Sequence, residues 1–498
     1  MANASAASAR ARALSGRLVV WASGAGAIAV CATACGPPRA APPLPSVTTT
    51  QPVTFKPVSF AILQDYDKGT SLDSVARDFA LIRTLGADTW RGSFGWDDYE
   101  PARDSFDFAW LHRFADTGGR AGITLRPYID YTPAWAANGG SGDRRDWNDP
   151  PRSLDDWYRF MFRLAGELGR HRNVVSYEIY NEENASLWWD GTLERYAAVL
   201  ERAARAVRAA NPRARVFAGG LVTPDADWAE ASCDALRGAL SDSLHDGRSN
   251  PPGGYANNGA PVVAVPLHAY PETWTPESVT VERYLDAGYR NRFLPVVRSS
   301  CDGAPVWLNE VGYATSRDHS ERDQAAWWAR AIATFLADSA VEEIGIYQLH
   351  DQRPSAEVIG ESENRHLGLV RLDGTPKLAF HTVRLLLQLL NVGRIGVVDD
   401  AVTATVIAGA AGRLHAHLFV RPDGRRVLLV WDESGRPTVQ LRVASSARRG
   451  TDSAGGGAGR AVATEYALDG TGTAYPRFDG TTLDGVQLVA GVPRIFIF

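Results

Sequence analysis

Short apolar runs alternate with helical patterns over most of the chain, between residues 58 and 390. In the first helical pattern, apolar positions recur every three or four residues between Ser71, a capping residue, and Gly86, a helix terminator. The apolar runs predict strands at Val58–Ile62, Thr89–Gly92, Ile123–Tyr128, Val174–Tyr180, Val216–Gly219, Val262–Val265, Val306–Asn309 and Ile344–Gln348. Further helices are predicted at Phe108–Gly118, Leu154–Leu168, Leu193–Ala210, Ser278–Tyr289 and Arg322–Ala337.

Eight strands that alternate with helices favour an α/β fold, a (β/α)8 TIM barrel. A doubly wound sheet is the structural competitor. The first strand is not followed by a glycine-rich phosphate loop, which weakens any nucleotide-binding version of that sheet.

The pattern changes after about Gly393, where short alternating runs are separated by turn residues. This region predicts a small C-terminal β-sandwich with strands at Thr403–Ile407, Leu414–Phe419, Val427–Trp431, Thr438–Val443 and Arg494–Phe498. It either buttresses the barrel or binds sugar. We divide the chain into residues 1–35, a signal peptide; 36–54, a linker rich in Pro and Thr; 55–392, the barrel; and 393–498, the sandwich.

The first 35 residues predict export. Arginines without any acid precede an uncharged, mostly apolar stretch, and small residues then lead to Cys35. This resembles a bacterial lipobox, in which Cys35 carries a lipid that tethers the protein to a membrane. Ordinary cleavage after Ala34 and an uncleaved anchor are the alternatives. The protein is therefore expected either in the cell envelope as a lipoprotein, or secreted or in the periplasm.

The composition is that of a globular protein: of 498 residues, 45% are hydrophobic and 22% are charged. The formal charge of -5 gives no electrostatic reason to expect nucleic acid as a partner. No cluster of Cys and His has zinc spacing, so we predict neither a metal nor a cofactor.

Two predicted strands deliver a glutamate at the mouth of the barrel. The fourth strand leads to Asn181-Glu182, and the seventh leads to Asn309-Glu310. Reactive groups of such barrels sit at the carboxyl ends of the strands, and burying a carboxylate there costs free energy unless it is paired or used. Two carboxylates that face one cavity suit glycosidic cleavage.

These segments resemble the clan-A retaining glycoside hydrolases, whose hallmarks are an Asn-Glu pair after strand four and a Glu after strand seven. The resemblance implies that Glu182 is the general acid/base, that Glu310 is the nucleophile and that Asn181 holds the sugar 2-hydroxyl. Within the clan, the chain is similar to the β-xylosidase and α-iduronidase family and to the cellulase-like family five.

The resemblance extends to further segments of the chain. Arg91 on strand two would lie beside the nucleophile, although pairing with a barrel acid is its alternative role. After strand six, Tyr270 would donate to the nucleophile and His268 would line the sugar site. Trp135 ends a loop similar to that of the β-xylosidase and α-iduronidase family. Tyr347 is a departure from the family, because many members carry a Trp at this position in the floor of the sugar site.

Three further expectations concern neighbouring side chains. Glu183 follows the Asn-Glu pair where many clan members have Pro, and could be mistaken for the catalyst. Glu178 is an inner-barrel acid that would pair with an arginine such as Arg126. Cys233 and Cys301 either form a disulfide or remain separate thiols.

The chain contains 15 tryptophans. Sugars present C–H faces that stack on aromatic rings. We therefore expect Trp135, Trp188 and Trp189, which follow strands three and four, to form a sugar platform. The helical tryptophans are expected to pack in the shell; they are Trp110, Trp157, Trp327 and Trp328.

The hypothesis is a retaining glycosidase that acts on O-glycosyl bonds of β-linked glycans. Glu310 must stay ionised, Glu182 needs a raised pKa, and their carboxyl groups should lie about 5–5.5 Å apart. A carbohydrate-binding barrel without activity is one alternative. A metal-assisted hydrolase is the weaker alternative. It would need clustered His and Asp ligands at the strand ends, and His268 and His350 are the only strand-end histidines in the sequence. The sugar, the linkage, exo or endo action and the oligomeric state are left open by the sequence.

Overall fold

A computed structural model of the chain describes residues 53–140, 142–143, 145–241, 262–274, 279–316, 318–354, 362–398, 401–444 and 462–498. The predicted signal peptide and Cys35 lie outside these residues. Within the described residues, no helix combines the length and the apolar character that crossing a bilayer requires.

The chain begins with a short strand, β1 (Thr54–Pro57), and then enters a parallel barrel of eight strands. The barrel strands are β2 (Ser59–Leu63), β3 (Thr89–Gly95), β4 (Thr124–Asp130), β5 (Ser176–Ile179), β6 (Arg215–Ala218), β7 (Val265–Ala269), β8 (Val306–Val311) and β9 (Val341–Tyr347). Their order in the sheet is β6-β5-β4-β3-β2-β9-β8-β7. A parallel bridge between Leu221 and Leu267 joins the two ends. The predicted TIM barrel is therefore confirmed.

Helices connect these strands and cover the barrel. They are α1 (Leu72–Leu85), the short α2 (Trp96–Tyr99), α3 (Ala109–Ala121), α4 (Leu154–Leu168), α5 (Leu193–Ala210), α6 (Ala226–Ser241), α7 (Leu294–Ser300), α8 (Glu321–Ala337) and α9 (Leu378–Leu390). The first of them, α1, shows how its own sequence determines the buried face and the end of a helix. Val75, Phe79 and Ile82 face the core, and Gly86 ends the helix in a left-handed conformation with φ 93°.

The predicted helix at Ser278–Tyr289 is wrong. The chain there forms a 3-10 helix at Val281–Arg283 and a π-helix at Asp286–Phe293, and α7 follows. Val281, Leu285 and Tyr289 are buried, as the pattern requires. A four-residue spacing of apolar side chains does not distinguish an α-helix from these tighter and wider turns.

The C-terminal part is a two-sheet sandwich, as predicted, with more strands than expected. Its strands are β10 (Arg394–Val398), β11 (Val402–Ala408), β12 (Leu414–Val420), β13 (Arg426–Asp432), β14 (Thr438–Val443), β15 (Ala463–Tyr466), β16 (Gly472–Tyr475), β17 (Thr482–Gln487) and β18 (Arg494–Ile497). One sheet has the order β1-β10-β12-β13-β18-β15-β16 and the other β11-β14-β17. Buried side chains of both sheets form one apolar core, including Leu428, Phe496, Leu441 and Val486.

Strand β1 pairs antiparallel with β10, so residues 55–57, which we assigned to the barrel, lie in the sandwich sheet. The buried Lys56 of this strand donates to the carbonyl oxygen of Asp338 at 2.5 Å and to that of Val341, both on the barrel. The segment before the barrel therefore ties the two parts of the chain together.

Candidate active site

Glu182 and Glu310 meet at the carboxyl ends of the barrel strands. Glu182 follows β5 and Glu310 lies near the end of β8. One carboxylate oxygen of each lies within 4.8 Å of the other. This upper limit agrees with the about 5–5.5 Å between the carboxyl groups of retaining glycosidases and is shorter than the about 6.5–9.5 Å of inverting ones.

Glu310 is buried and surrounded by groups that favour its ionised form. Arg91 Nη1 lies 2.8 Å from Oε2, and the Tyr270 hydroxyl donates to Oε1. His268 Nε2 lies 3.5 Å from Oε2. Burial by itself raises the pKa of Glu310, but His268, Arg91 and the hydrogen bond from Tyr270 outweigh it and lower the pKa. This carboxylate can therefore act as a nucleophile at neutral pH.

Arg91 is itself held in place from a second side. Its Nε and Nη2 donate to the two oxygens of Glu178 at 2.8 and 2.6 Å. Asn309 Nδ2, at 3.1 Å from both oxygens, and the backbone N–H of Gly220, at 3.0 Å, also donate to Glu178. A bidentate Arg–carboxylate pair of this kind fixes the guanidinium plane.

Glu178 is thus an inner-barrel acid paired with an arginine, as expected, but its partner is Arg91 and the suggested Arg126 is wrong. Arg126 Nη2 instead donates to Glu343 at 2.5 Å. Both arginines project into the barrel, and which acid each one meets depends on the stagger between strands, which the sequence does not display.

Asn181 lies against the same arginine. Its Oδ1 accepts from Arg91 Nη2 at 3.0 Å. Since a guanidinium only donates, the amide orientation is fixed, and Nδ2 is the donor that Asn181 offers. A donor in this position fits the expected contact with a sugar hydroxyl.

The turn after β5 aims Glu182 at the site and Glu183 away from it. Glu182 has a φ of 52°, and its N–H donates to the carbonyl oxygen of Gly220 at 3.0 Å. Glu183 is 1% exposed. Glu182, and not Glu183, therefore lies beside Glu310.

His268 is placed differently from the expectation that it lines the sugar site. It has no exposed surface, and its Nδ1 lies 2.7 Å from Glu182 Oε1 while Nε2 faces Glu310. The reason is the position of β7, which begins three residues later than predicted. His268 thus falls inside the strand and pairs in register with Glu310 on β8.

Sequence comparison decides the family. A family model described as "Cellulase (glycosyl hydrolase family 5)" matches residues 49–346, more than half of the chain. The chain belongs to glycoside hydrolase family 5. The resemblance to clan-A glycoside hydrolases is thereby confirmed.

Individual relatives of this family 5 member are distant. A β-xylosidase of Caldicellulosiruptor saccharolyticus is 24% identical over 270 residues, which are 52% of this chain and 51% of that protein. The chain thus spans about half the length of this curated relative.

Two solved structures share the fold with the family 5 chain. A family 39 glycoside hydrolase of Bacteroides cellulosilyticus WH2 has a TM-score of 0.56 at 17% identity, covering 89% of this chain and 81% of that one. A family 30 endoxylanase of Clostridium papyrosolvens C71 has a TM-score of 0.57 at 12% identity, covering 89% and 97%.

The tryptophans expected to form a sugar platform in this family 5 member lie in three different surroundings. Trp189 is 2% exposed and packs edge-on against Tyr180, so its role as a platform is wrong. Trp135 is half-buried, and its Nε1 donates to a backbone oxygen at 2.9 Å. Trp188 is half-buried beside Trp147, with ring centroids 5.9 Å apart. Trp188 keeps the aromatic surface that a sugar could use.

Trp274, which was not among the expected site residues, is 36% exposed. Its ring centroid lies 4.1 Å from that of Tyr270, the residue that donates to Glu310. Tyr347 also lies near Tyr270, with 6.3 Å between ring centroids. The signal available was the position of Trp274, four residues after Tyr270 in a segment with turn residues.

Asp65 was also missed. It follows β2, is solvent-exposed, and accepts hydrogen bonds from the backbone N–H of Ser93 and the hydroxyl of Tyr128, each at 3.0 Å. The ring of Tyr128 lies under the Arg91 guanidinium at 4.6 Å. Asp65 is thus an oriented acceptor next to the arginine that holds Glu310.

Cys233 on α6 and Cys301, which follows α7, form a disulfide with a Cα–Cα distance of 5.3 Å.

The other strand-end histidine, His350, pairs with Asp78 of α1 at 2.8 Å. It therefore contributes to the packing of α1 and β9, and not to the glutamate pair.

Proposed function

We propose that the chain is a retaining glycosidase that hydrolyses O-glycosidic bonds of β-linked glycans. The observation that carries the proposal is the pair of carboxylates within 4.8 Å, of which Glu310 is held ionised. Family membership supports the same reaction class. Glu182 is the proposed acid/base and Glu310 the proposed nucleophile.

In the first step, an oxygen of Glu310 forms a bond to the anomeric carbon while the bond from that carbon to the leaving oxygen breaks. Protonated Glu182 donates its proton to the leaving oxygen. Arg91 and Tyr270 hold the attacking carboxylate in one orientation, which lowers the entropy cost of reaching the anomeric carbon.

In the second step, ionised Glu182 takes a proton from water, whose oxygen attacks the same carbon and displaces Glu310. Two displacements at one carbon retain its configuration. His268 has one ring nitrogen toward each glutamate, at 2.7 Å from Glu182 Oε1 and 3.5 Å from Glu310 Oε2, and therefore holds the two carboxylates in position.

For the sugar, we propose β-xylosides as the first substrates to test. The support is the printed name of the curated relative, β-xylosidase. A carboxylate acceptor at Asp65 and rings at Trp188 and Trp274 also suit a small polar glycone with an aromatic-stacked neighbour.

The test is a panel of aryl β-glycosides followed by product analysis. We expect hydrolysis with retained configuration in NMR spectra of the first-formed product, and labelling of Glu310 by a 2-fluoro glycoside. Glu182→Ala should lower kcat by about 10²- to 10⁴-fold on substrates with poor leaving groups. The same substitution at Glu194, which is exposed on α5, is the matched control and should leave kcat unchanged.

Three outcomes would count against the proposal. An inverted product contradicts the retaining mechanism, and labelling of a residue other than Glu310 contradicts the nucleophile. Sugar binding that persists without turnover, in the wild type and in Glu310→Ala alike, would instead support a carbohydrate-binding barrel.

A further inference from the structure

A chain of polar contacts runs from the sandwich to the barrel. On the sandwich side, Trp431 of β13 is fully buried and its Nε1 donates to Glu282 Oε1 at 3.0 Å. Arg330 of α8 donates to the same oxygen through Nη1 at 2.9 Å. Its Nη2 donates to Glu272 Oε2 at 3.2 Å. Arg330 thus links an acid that contacts the sandwich to one that lies in the turn after β7.

Glu272 stands at the centre of that turn. Its φ is 65°, a left-handed backbone that a residue other than glycine keeps only where the surroundings hold it. Its second oxygen, Oε1, accepts from the backbone N–H of Val281 at 3.1 Å. The carboxylate therefore fixes the turn on both sides, against α8 and against the start of the following 3-10 helix.

The same turn carries two aromatic rings of the glutamate site. Tyr270, two residues before Glu272, donates to the Glu310 carboxylate. Trp274, two residues after Glu272, packs on the Tyr270 ring with 4.1 Å between centroids. A change in the position of the turn would therefore move the hydrogen bond to the nucleophile and the exposed indole together.

These contacts are also partly or fully desolvated. The side chains of Arg330, Glu272 and Glu282 are 14%, 16% and 1% exposed. In such surroundings a carboxylate oxygen that loses a donor cannot replace it with water, and the remaining groups must rearrange to satisfy it. Loss of the Trp431 indole N–H would thus shift Glu282 and Arg330, and through Arg330 it would shift Glu272.

We infer, on the basis of the proposed glycosidase activity, that the C-terminal sandwich positions the turn that holds Tyr270 and Trp274 through Trp431, Glu282, Arg330 and Glu272. Glu272 is the positioning residue within the barrel, and Trp431 is its support from the sandwich. The sandwich then contributes to the geometry of the nucleophile in addition to burying the outer face of α8.

The test compares Trp431→Phe, which removes the indole N–H and keeps an aromatic ring, with Glu272→Gln, which removes the charge. Each should lower kcat by about 3- to 30-fold, the range typical of coupling between connected sites. The double variant should be no worse than Glu272→Gln alone, because both act through one chain of contacts.

The matched control is Arg421→Gln. Arg421 also joins the sandwich to the barrel, since its Nη1 donates to the carbonyl oxygens of Gln388 and Leu389 at the end of α9. It should lower Tm and leave kcat unchanged. If Trp431→Phe and Glu272→Gln likewise lower only Tm, the inference is overturned and the contacts are purely structural.

A readout that needs no activity keeps this inference separate from the proposed function. Amide hydrogen exchange of residues 262–274 should become faster in Trp431→Phe and in Glu272→Gln, and stay at the wild-type rate in Arg421→Gln. A wild type that hydrolyses no glycoside would defeat the proposed function alone. Unchanged exchange in both variants would defeat the positioning role alone.

Discussion

Glu182 and Glu183 are neighbours in the chain and lie in opposite surroundings. Glu182 contacts His268 at 2.7 Å beside Glu310, whereas Glu183 is 1% exposed among Glu178, Tyr196 and the backbone of Gly219. Burial, with a contribution from the nearby acids, raises the pKa of Glu183 to about 8. At neutral pH this residue is therefore a neutral acid inside the protein.

The raised pKa of Glu183 makes the stability of the protein depend on pH. Between pH 4.5, the usual pKa of this carboxyl group, and about pH 8, the folded chain keeps a proton on Glu183 that the unfolded chain has released. This contribution to the free energy of unfolding is complete below pH 4.5 and is lost as the pH rises to about 8.

Glu183→Gln should remove that dependence. Relative to wild type, the variant should gain up to about 1.4 kcal/mol in the free energy of unfolding for each pH unit in this window. Urea unfolding at several pH values between 5 and 9 measures the difference. Glu230→Gln, at an exposed position on α6, is the control. If the free energy of unfolding changed with pH in the same way in Glu183→Gln and in wild type, Glu183 would be ionised in the folded state.

Among the elements, the turn after β6 shows how closely backbone approaches the site. A Cβ added to Gly220 would lie 2.1 Å from His268 Nε2 and 2.8 Å from Asn309 Oδ1. The backbone of Gly220 also contacts both Glu178 and Glu182. A glycine is required here because two strands and the glutamate turn converge on one point.

Gly220→Ala should displace His268 and with it the glutamate pair. We expect kcat/KM to fall by about 10²-fold, since a shift of about 1 Å in a catalytic group has an effect of this size. Circular dichroism should show a retained fold. Gly166→Ala on α4 is the control, because its nearest neighbour outside the helix backbone would be Ala210 Cβ at 3.9 Å. An unchanged kcat/KM in Gly220→Ala would show that the backbone at residue 220 does not approach His268 this closely.

Most barrel strands were predictable, and some of the missed elements have local causes. Helix α6 was missed because its buried face consists largely of small residues, Ala229, Cys233 and Ala239, which give little contrast in hydrophobicity. Strands β15 and β16 were missed because each has four residues and few apolar ones. Such short strands form because pairing with distant segments of the chain supplies the stability that their own sequence lacks.

At the scale of the whole molecule, the disulfide joins residues 68 apart in the chain. Disulfides persist in oxidising compartments, which agrees with the export predicted from residues 1–35. Export itself stays a prediction, and sequencing the N-terminus of the mature protein would check it.

Replacing both cysteines by alanine should destabilise the protein by about 4 kcal/mol, the loop-closure contribution for this length. Urea unfolding measures the change. Cys233 belongs to α6 and Cys301 follows α7, in the outer layer of helices, so kcat/KM of the folded variant should stay at the wild-type value. An unchanged unfolding midpoint would show that the cross-link adds no stability.

The sequence by itself determined the alternation of strands and helices, the sandwich that follows and the two glutamates at strand ends. These features depend on periodicity and on residues close together in the chain. The tertiary structure decided that Arg91 pairs with Glu178, that His268 lies between the glutamates, and that Trp189 is buried while Trp274 is exposed. Sheet register and the packing of distant segments set those outcomes, and neither is visible in a local pattern.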